Sequence, residues 1–202
     1  YDFRQAQWPD KSSQDNAFPW IEFEYPQYNH NGIVSVSVAQ HTSSKMSNMD
    51  FGNRGRGFDM STMRNDSSRM REGLNYQSQW QTVFNLEANG EDVDIAFLTG
   101  WNEWTMIKFA ENVSSTEKQV YFVDAFNEEY SRDIEPMKGG YGDNFYLQTM
   151  MNIRTYKYKE DENYCQPYMT KTLEDFGSWE GLYTYKDFAG DALERDYMGI
   201  VS

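Results

Sequence analysis

An α/β fold with a parallel sheet is the architecture this sequence predicts, on three observations. The run Ile33 to Gln40 (IVSVSVAQ) alternates Val34, Val36 and Val38 with Ser35, Ser37 and Ala39, the pattern of a strand buried on one face and closely approached on the other. Leu74 to Ala88 then carries Tyr76, Trp80, Val83 and Phe84 at helical spacing and leads into a β-rich run, Val93 to Leu98. Strands that alternate with helices and long loops make βα units. The third observation is length: a closed eight-stranded βα barrel takes about 250 residues, yet these 202 residues offer only three or four strands before Tyr158. The expected fold is therefore part of a (β/α)8, TIM-like barrel over residues 1–158. A charged linker over 159–178 and the start of a β-rich, sandwich-like accessory domain over 179–202 follow it.

Taken in order, Ala17 to Tyr25 (AFPWIEFEY) reads as strand one, with Trp20, Glu22 and Glu24 on one side and Ile21, Phe23 and Tyr25 on the other. Ile33 to Gln40 is strand two, and His41 sits just past its end. The polar stretch from Thr42 to Arg71 is too long for an ordinary connector and reads as a functional loop. Its methionines, Met46, Met49, Met60, Met63 and Met70, suit adaptable packing. After the helix and strand three come Trp101-Asn102-Glu103-Trp104, a loop to about Val120, and a short apolar stretch to Phe126. A second helix is expected from about Asp143 to Lys157, with Tyr146, Met150, Ile153 and Tyr156 on its apolar stripe.

Composition narrows the partners. A formal net charge of −14 repels phosphate backbones and anionic lipid surfaces, which argues against nucleic acid despite Arg54-Gly55-Arg56-Gly57. No apolar run reaches the roughly 20 residues of a membrane span, and Tyr1 to Asp10 lack the layout of a signal peptide. The expected location is extracellular, cell-surface or periplasmic, with any export signal outside this stretch. Cys165, the single cysteine, has no internal disulfide partner, and no Cys/His cluster suggests a metal, so no metal or cofactor is expected.

In a parallel βα fold the carboxyl ends of the strands converge on one mouth, where active sites are built. Those ends supply Trp20, Glu22, Glu24, Tyr25 and Gln27, then Gln40 and His41, then Trp101, Asn102, Glu103 and Trp104. A carboxylate between two indoles and beside an amide suits acid/base or nucleophilic work, because an apolar wall raises its pKa while the amide holds a substrate hydroxyl. Glu103 is the first candidate. Residues 128–136 add Glu128, Glu129, Asp133 and Glu135 around Arg132, a mixture that can split carboxylate pKa values as a two-carboxylate glycosidase requires. The aromatic content, 17 %, fits sugar binding, since a pyranose rests its apolar face on an indole; Trp20, Trp101 and Trp104 are the rings placed there. Plainer readings stand beside these: Glu22 and Glu24 as a solvated strand face, Arg132 with Asp133 and Glu135 as a structural ion-pair network, and His41 as a hydrogen-bonded structural residue.

The order WIE at 20–22 with YPQ at 25–27, VSVSVAQ at 34–40, TGWNEW at 99–104 and VDAFNEEYSRDIEPMKGGYGDNFY at 123–146 resembles bacterial glycoside hydrolases related to glycoside hydrolase family 99 and to WbsX-like domains. The resemblance covers roughly residues 17–157, and the tail YKDFAGDALERDYMG at 185–199 resembles the opening of the β-domain that follows such barrels. It implies that residues 1–158 are the C-terminal part of a (β/α)8 domain acting on carbohydrate, within a larger protein that supplies the rest of the barrel, with Asn102-Glu103-Trp104 at a late strand. Where family 99 carries its second glutamate this chain has Met106, so the family's acid/base pairing does not carry over. Glu135, in an Ile-Glu-Pro that resembles the later WbsX motif, is the expected second carboxylate, with Glu24 as substitute. The remaining expected substrate contacts are Glu22, Gln27, Gln40, His41, Arg132 and Asp133. The function expected is cleavage of a glycosidic bond in a poly- or oligosaccharide, and the alternative is a carbohydrate-binding barrel without catalysis.

Overall fold

A computed structural model describes residues 3–12, 16–42, 52–105, 107–112 and 115–157. The linker at 159–178, the β-rich segment at 179–202, Cys165, Met46, Met49 and Met106 lie outside the described residues. The chain divides into two compact units, Tyr1–Glu135 and Pro136–Ser202.

The first unit is a set of small sheets and one long helix. β1 (Gln5–Gln7) pairs in parallel with β2 (Ala17–Pro19), in the register Gln5 to Ala17 and Gln7 to Pro19. β3 (Ile33–Ser37) pairs in parallel with β6 (Ile95–Thr99), from Ile33 opposite Ile95 to Ser37 opposite Thr99. Between them come the antiparallel pair β4 (Phe58–Asp59) and β5 (Arg64–Asn65), a 3-10 turn over Ser67–Glu72, and helix α1 (Leu74–Ala88). The β3–α1–β6 segment is the βα unit that the sequence predicts. β7 (Lys108–Asn112) and β8 (Lys118–Phe122) close the unit's strand list as an antiparallel hairpin. Among the described residues the sheets are two-stranded and none closes into a barrel.

The core forms where α1 packs on β3. Tyr76, Trp80 and Val83 recur at helical spacing and are sealed from solvent, as is every residue of β3. Burying a strand at its polar end leaves backbone groups to satisfy, and α1 does so with amides. Gln79 accepts from the Ser37 N–H at 3.0 Å and donates to the Ser37 carbonyl at 2.8 Å, as a neighbouring strand would. Asn75 donates to the Val38 carbonyl at 3.0 Å.

The strands expected over 33–40 and 93–98 run Ile33–Ser37 and Ile95–Thr99, and three further elements differ from expectation, each for a visible reason. Strand one stops at Pro19, because the Glu22 carboxylate turns back to accept from the Phe23 and Glu24 N–H groups at 3.0 and 3.5 Å, bending the chain where it would otherwise stay extended. The expected loop before Val120 is the β7–β8 hairpin, with the rings of Phe109 and Tyr121 facing across it at 6.1 Å. In the second unit, helix α2 (Asn144–Lys157) falls where predicted, but its buried residues are not the predicted stripe. Of Tyr146, Met150, Ile153 and Tyr156 only Met150 is buried, whereas Phe145, Gln148 and Asn152 are fully covered. A face carrying Asn144, Gln148 and Asn152 is invisible to a count of apolar residues. Just before α2, Gly139, Gly140 and Gly142 all have positive φ, and the Gly142 N–H donates to the Gly139 carbonyl at 3.0 Å, closing a tight turn.

Candidate functional site

The parallel register of β1 and β2 places the residues that follow them side by side. Gln7 lies opposite Pro19, so Trp8 and Trp20 emerge together, and the Trp20 N–H continues the ladder to the Gln7 carbonyl at 2.9 Å. The two indoles meet edge to face, centroids 5.4 Å apart and planes at 84°. From the other sheet, the Thr99 hydroxyl donates to the Trp20 carbonyl and fixes the end of β6 against this corner. A cavity of about 470 Å³ opens here, lined by Ala6, Trp8, Trp20, the strand Phe97–Thr99, Gly100, Trp101 and Glu103.

A sealed polar layer packs against Trp20. Arg132 and Asp124, 2 % and 1 % exposed, form a two-pronged ion pair at 2.9 and 2.6 Å, and the Arg132 backbone N–H adds a third bond to the same carboxylate. The guanidinium lies over the Trp20 ring, 5.3 Å from its centroid. Its Nη1 is 3.4 Å from His41 Nδ1. Arginine only donates, so Nδ1 is the acceptor and the imidazole carries its proton on Nε2. Burial, and next the Arg132 charge, push the His41 pKa down to about 3, so the ring is neutral in its cage of Trp8, Trp20 and Phe23.

The acidic segment meets the Trp-Asn-Glu-Trp turn directly. Ile134 and Glu135 donate backbone N–H bonds to the Gly100 and Trp101 carbonyls at 2.9 and 3.0 Å. Gly100, at φ +80°, admits no side chain, since a Cβ there would strike the Arg132 carbonyl. The Asp133 carboxylate accepts the Glu103 N–H. Burial first, then the Asp124 charge, push the Asp133 pKa up to about 6, while the Glu103 N–H, Arg56 and Arg132 partly oppose the rise. Trp104 donates its indole N–H to the Glu135 carboxylate at 3.2 Å. Glu103, Asp133 and Glu135 are thereby gathered on adjoining backbone, with Glu103 exposed, Asp133 buried and Glu135 half-buried.

The other expected contacts lie elsewhere. Glu22 is buried and pairs with His30 at 3.0 Å besides capping its own bend. Gln27 donates to the Ser35 carbonyl and to Gln79. Gln40 donates to the Glu22 and Glu24 carbonyls and accepts from Arg54 at 3.0 Å. Glu24 is exposed beside Arg54. None of these, nor His41, Asn102, Trp104, Arg132, Asp133 or Glu135, is among the cavity's described lining residues, whereas Trp20, Trp101 and Glu103 are.

Sequence reasoning missed Trp8, Asp124 and Arg56. Trp8 needs the β1–β2 register to be placed; Asp124, a lone acid after the apolar run Val120 to Val123, carried a readable signal. Arg56 is fully buried and donates to the Glu128 and Asp133 carbonyls and to the Ser131 hydroxyl at 2.9, 2.6 and 2.9 Å, so the expected functional loop is in this part a clamp on the acidic segment. Among the described residues, no group of three or more His, Cys, Asp or Glu side chains gathers as a metal site, and no helix is long and apolar enough to cross a membrane. Compared with protein-family models, curated proteins and solved structures, the chain matches none.

Proposed function

We propose that this protein cleaves glycosidic bonds in a poly- or oligosaccharide, with Glu103 as one catalytic carboxylate and Glu135 as the other, and that its first unit belongs to the C-terminal part of a (β/α)8 barrel. The observation that carries the reading is the cavity: three indoles, Trp8, Trp20 and Trp101, around one exposed carboxylate, the furnishing that a pyranose ring and its hydroxyls require. Support for the second carboxylate comes from the backbone bond of Glu135 to Trp101 and its side-chain bond to Trp104, two members of the turn that presents Glu103. The buried Asp133, with its pKa raised to about 6, receives the Glu103 N–H and holds that turn in place. The test is turnover on a panel of host and plant glycans: Glu103→Gln reduces it by at least about a hundredfold, the lower scale of a lost acid/base group. Activity within a few-fold of the unaltered protein removes Glu103 from the role.

A second reading, saccharide binding without cleavage, is favoured by one observation: among the described lining residues Glu103 is the sole carboxylate. Glycan binding with no product after long incubation, and the same with Glu103→Gln, selects that reading.

A further inference from the structure

We infer that Glu129 is a positioning residue of the proposed site: it locks the loop at 55–57 onto the backbone that carries Asp133 and Glu135, and through that lock the Glu103 turn is firm in acid and loosens as pH rises. This rests on the role proposed for Glu103 above and adds a regulation to it. Glu129 is 7 % exposed, and a Cβ at Gly55 would strike its carboxyl group. Its Oε1 accepts the Gly57 N–H at 3.1 Å and its backbone carbonyl accepts the Arg56 N–H at 2.8 Å, so loop positions 55–57 hold both its side chain and its main chain. The Arg56 guanidinium extends the lock to the Glu128 and Asp133 carbonyls and the Ser131 hydroxyl. Further along, the same segment holds the turn: the Asp133 carboxylate accepts the Glu103 N–H, and Ile134 and Glu135 donate to the Gly100 and Trp101 carbonyls. A displacement at Glu129 is therefore carried along residues 129–135 to Glu103. The weak point of the lock is the other carboxyl oxygen. Oε2 is buried with no hydrogen-bond partner, which a neutral acid tolerates far better than an anion. Burial, opposed by the Gly57 N–H and the Arg56 charge and reinforced by Asp66, pushes the Glu129 pKa above its ordinary 4.5; these are the groups that face it. The folded chain thus keeps this proton longer than the unfolded one. The stability it contributes is whole below pH 4.5 and is lost as pH rises through the folded value. Once ionised, Glu129 draws water between the loop and the segment and parts them.

The experiment follows amide hydrogen exchange of the 202-residue chain by NMR from about pH 4 to about pH 7, with rates corrected for the intrinsic effect of pH. Protection of the Gly57 and Glu103 amides falls over this range by at least about tenfold. Glu129→Gln, uncharged throughout, abolishes the fall at Gly57 and lessens that at Glu103 by at least about threefold. The remainder at Glu103 belongs to Asp133, whose carboxyl titrates at about 6, and Asp133→Asn leaves the Gly57 fall in place. A Glu103 profile that Glu129→Gln does not change overturns the inference. So does a flat Gly57 profile in the unaltered chain, a result that needs no variant. With the best-bound saccharide of the glycan panel, calorimetry shows affinity falling over the same range, and Glu129→Gln lessens that fall by at least about threefold. A pH dependence of affinity that is the same in Glu129→Gln overturns the inference and leaves the saccharide reading standing. Amide profiles as expected, with no glycan on the panel bound, support the coupling and overturn that reading.

Discussion

Packed against Trp20, Arg132 and Asp124 are closed off from water and spend their charged atoms on each other and on His41 Nδ1; Trp101 and Glu103 are exposed and line a cavity with Trp20. The two regions share Trp20, and the difference lies in accounting for hydrogen bonds. Each prong of Arg132 has a partner inside the protein, because a buried charge must be matched. Glu103 spends its backbone N–H on Asp133 and keeps its side chain at the surface. The sealed region holds shape, and the open one presents the carboxylate to which the proposed chemistry is assigned.

The comparison breaks first on Asp124→Ala, which strands the buried Arg132 charge. A loss of about 3–5 kcal/mol in urea unfolding is expected, and a loss below about 1 kcal/mol would show that the pair is not the strut described. Next in size is Gly100→Ala, which meets both a left-handed backbone and the Arg132 carbonyl; roughly 1–3 kcal/mol should be lost in the same measurement.

Stability against pH sharpens the contrast between the two titrating groups. His41, held near 3 against an ordinary 6.5, stays neutral while the unfolded chain takes up a proton. Its contribution is whole above pH 6.5 and is lost as pH falls toward 3. Asp133, raised from 3.8 to about 6, works the other way: the folded protein keeps its proton longer, and that contribution is lost as pH rises from 3.8 through 6. Denaturant titrations over this range should show His41→Gln with a shallower loss on acidification, and Asp133→Asn gaining on the unaltered protein as pH rises. Identical pH profiles for all three would contradict both assignments. The smallest effect belongs to Glu103→Gln, whose exposed side chain should cost no more than about 0.5 kcal/mol of stability while turnover collapses.

Much of the framework was legible because periodic apolar residues report it: α1 from Tyr76, Trp80 and Val83, and β3 from its alternating valines. The strand-end rule likewise led to Trp20, Trp101 and Glu103, which share the cavity. Illegible was anything decided by where a polar side chain finds its partner. Gln27 and Gln40 read as substrate contacts, yet their amides are taken up by backbone carbonyls and by Gln79 and Arg54. Glu22 read as one of a row along a strand, yet its own hydrogen bonds end that strand. Trp8 became a wall of the site through a parallel register with no local signal, since β1 is only three residues long.

The central claim is that a sugar enters among Trp8, Trp20 and Trp101. Six tryptophans give six indole N–H resonances in a ¹⁵N-labelled sample, and titration with the best-bound saccharide should move those of Trp8, Trp20 and Trp101 most while leaving that of Trp80, on the buried face of α1, in place. Shifts that spare the three cavity rings, or that centre on Trp80, would contradict the account.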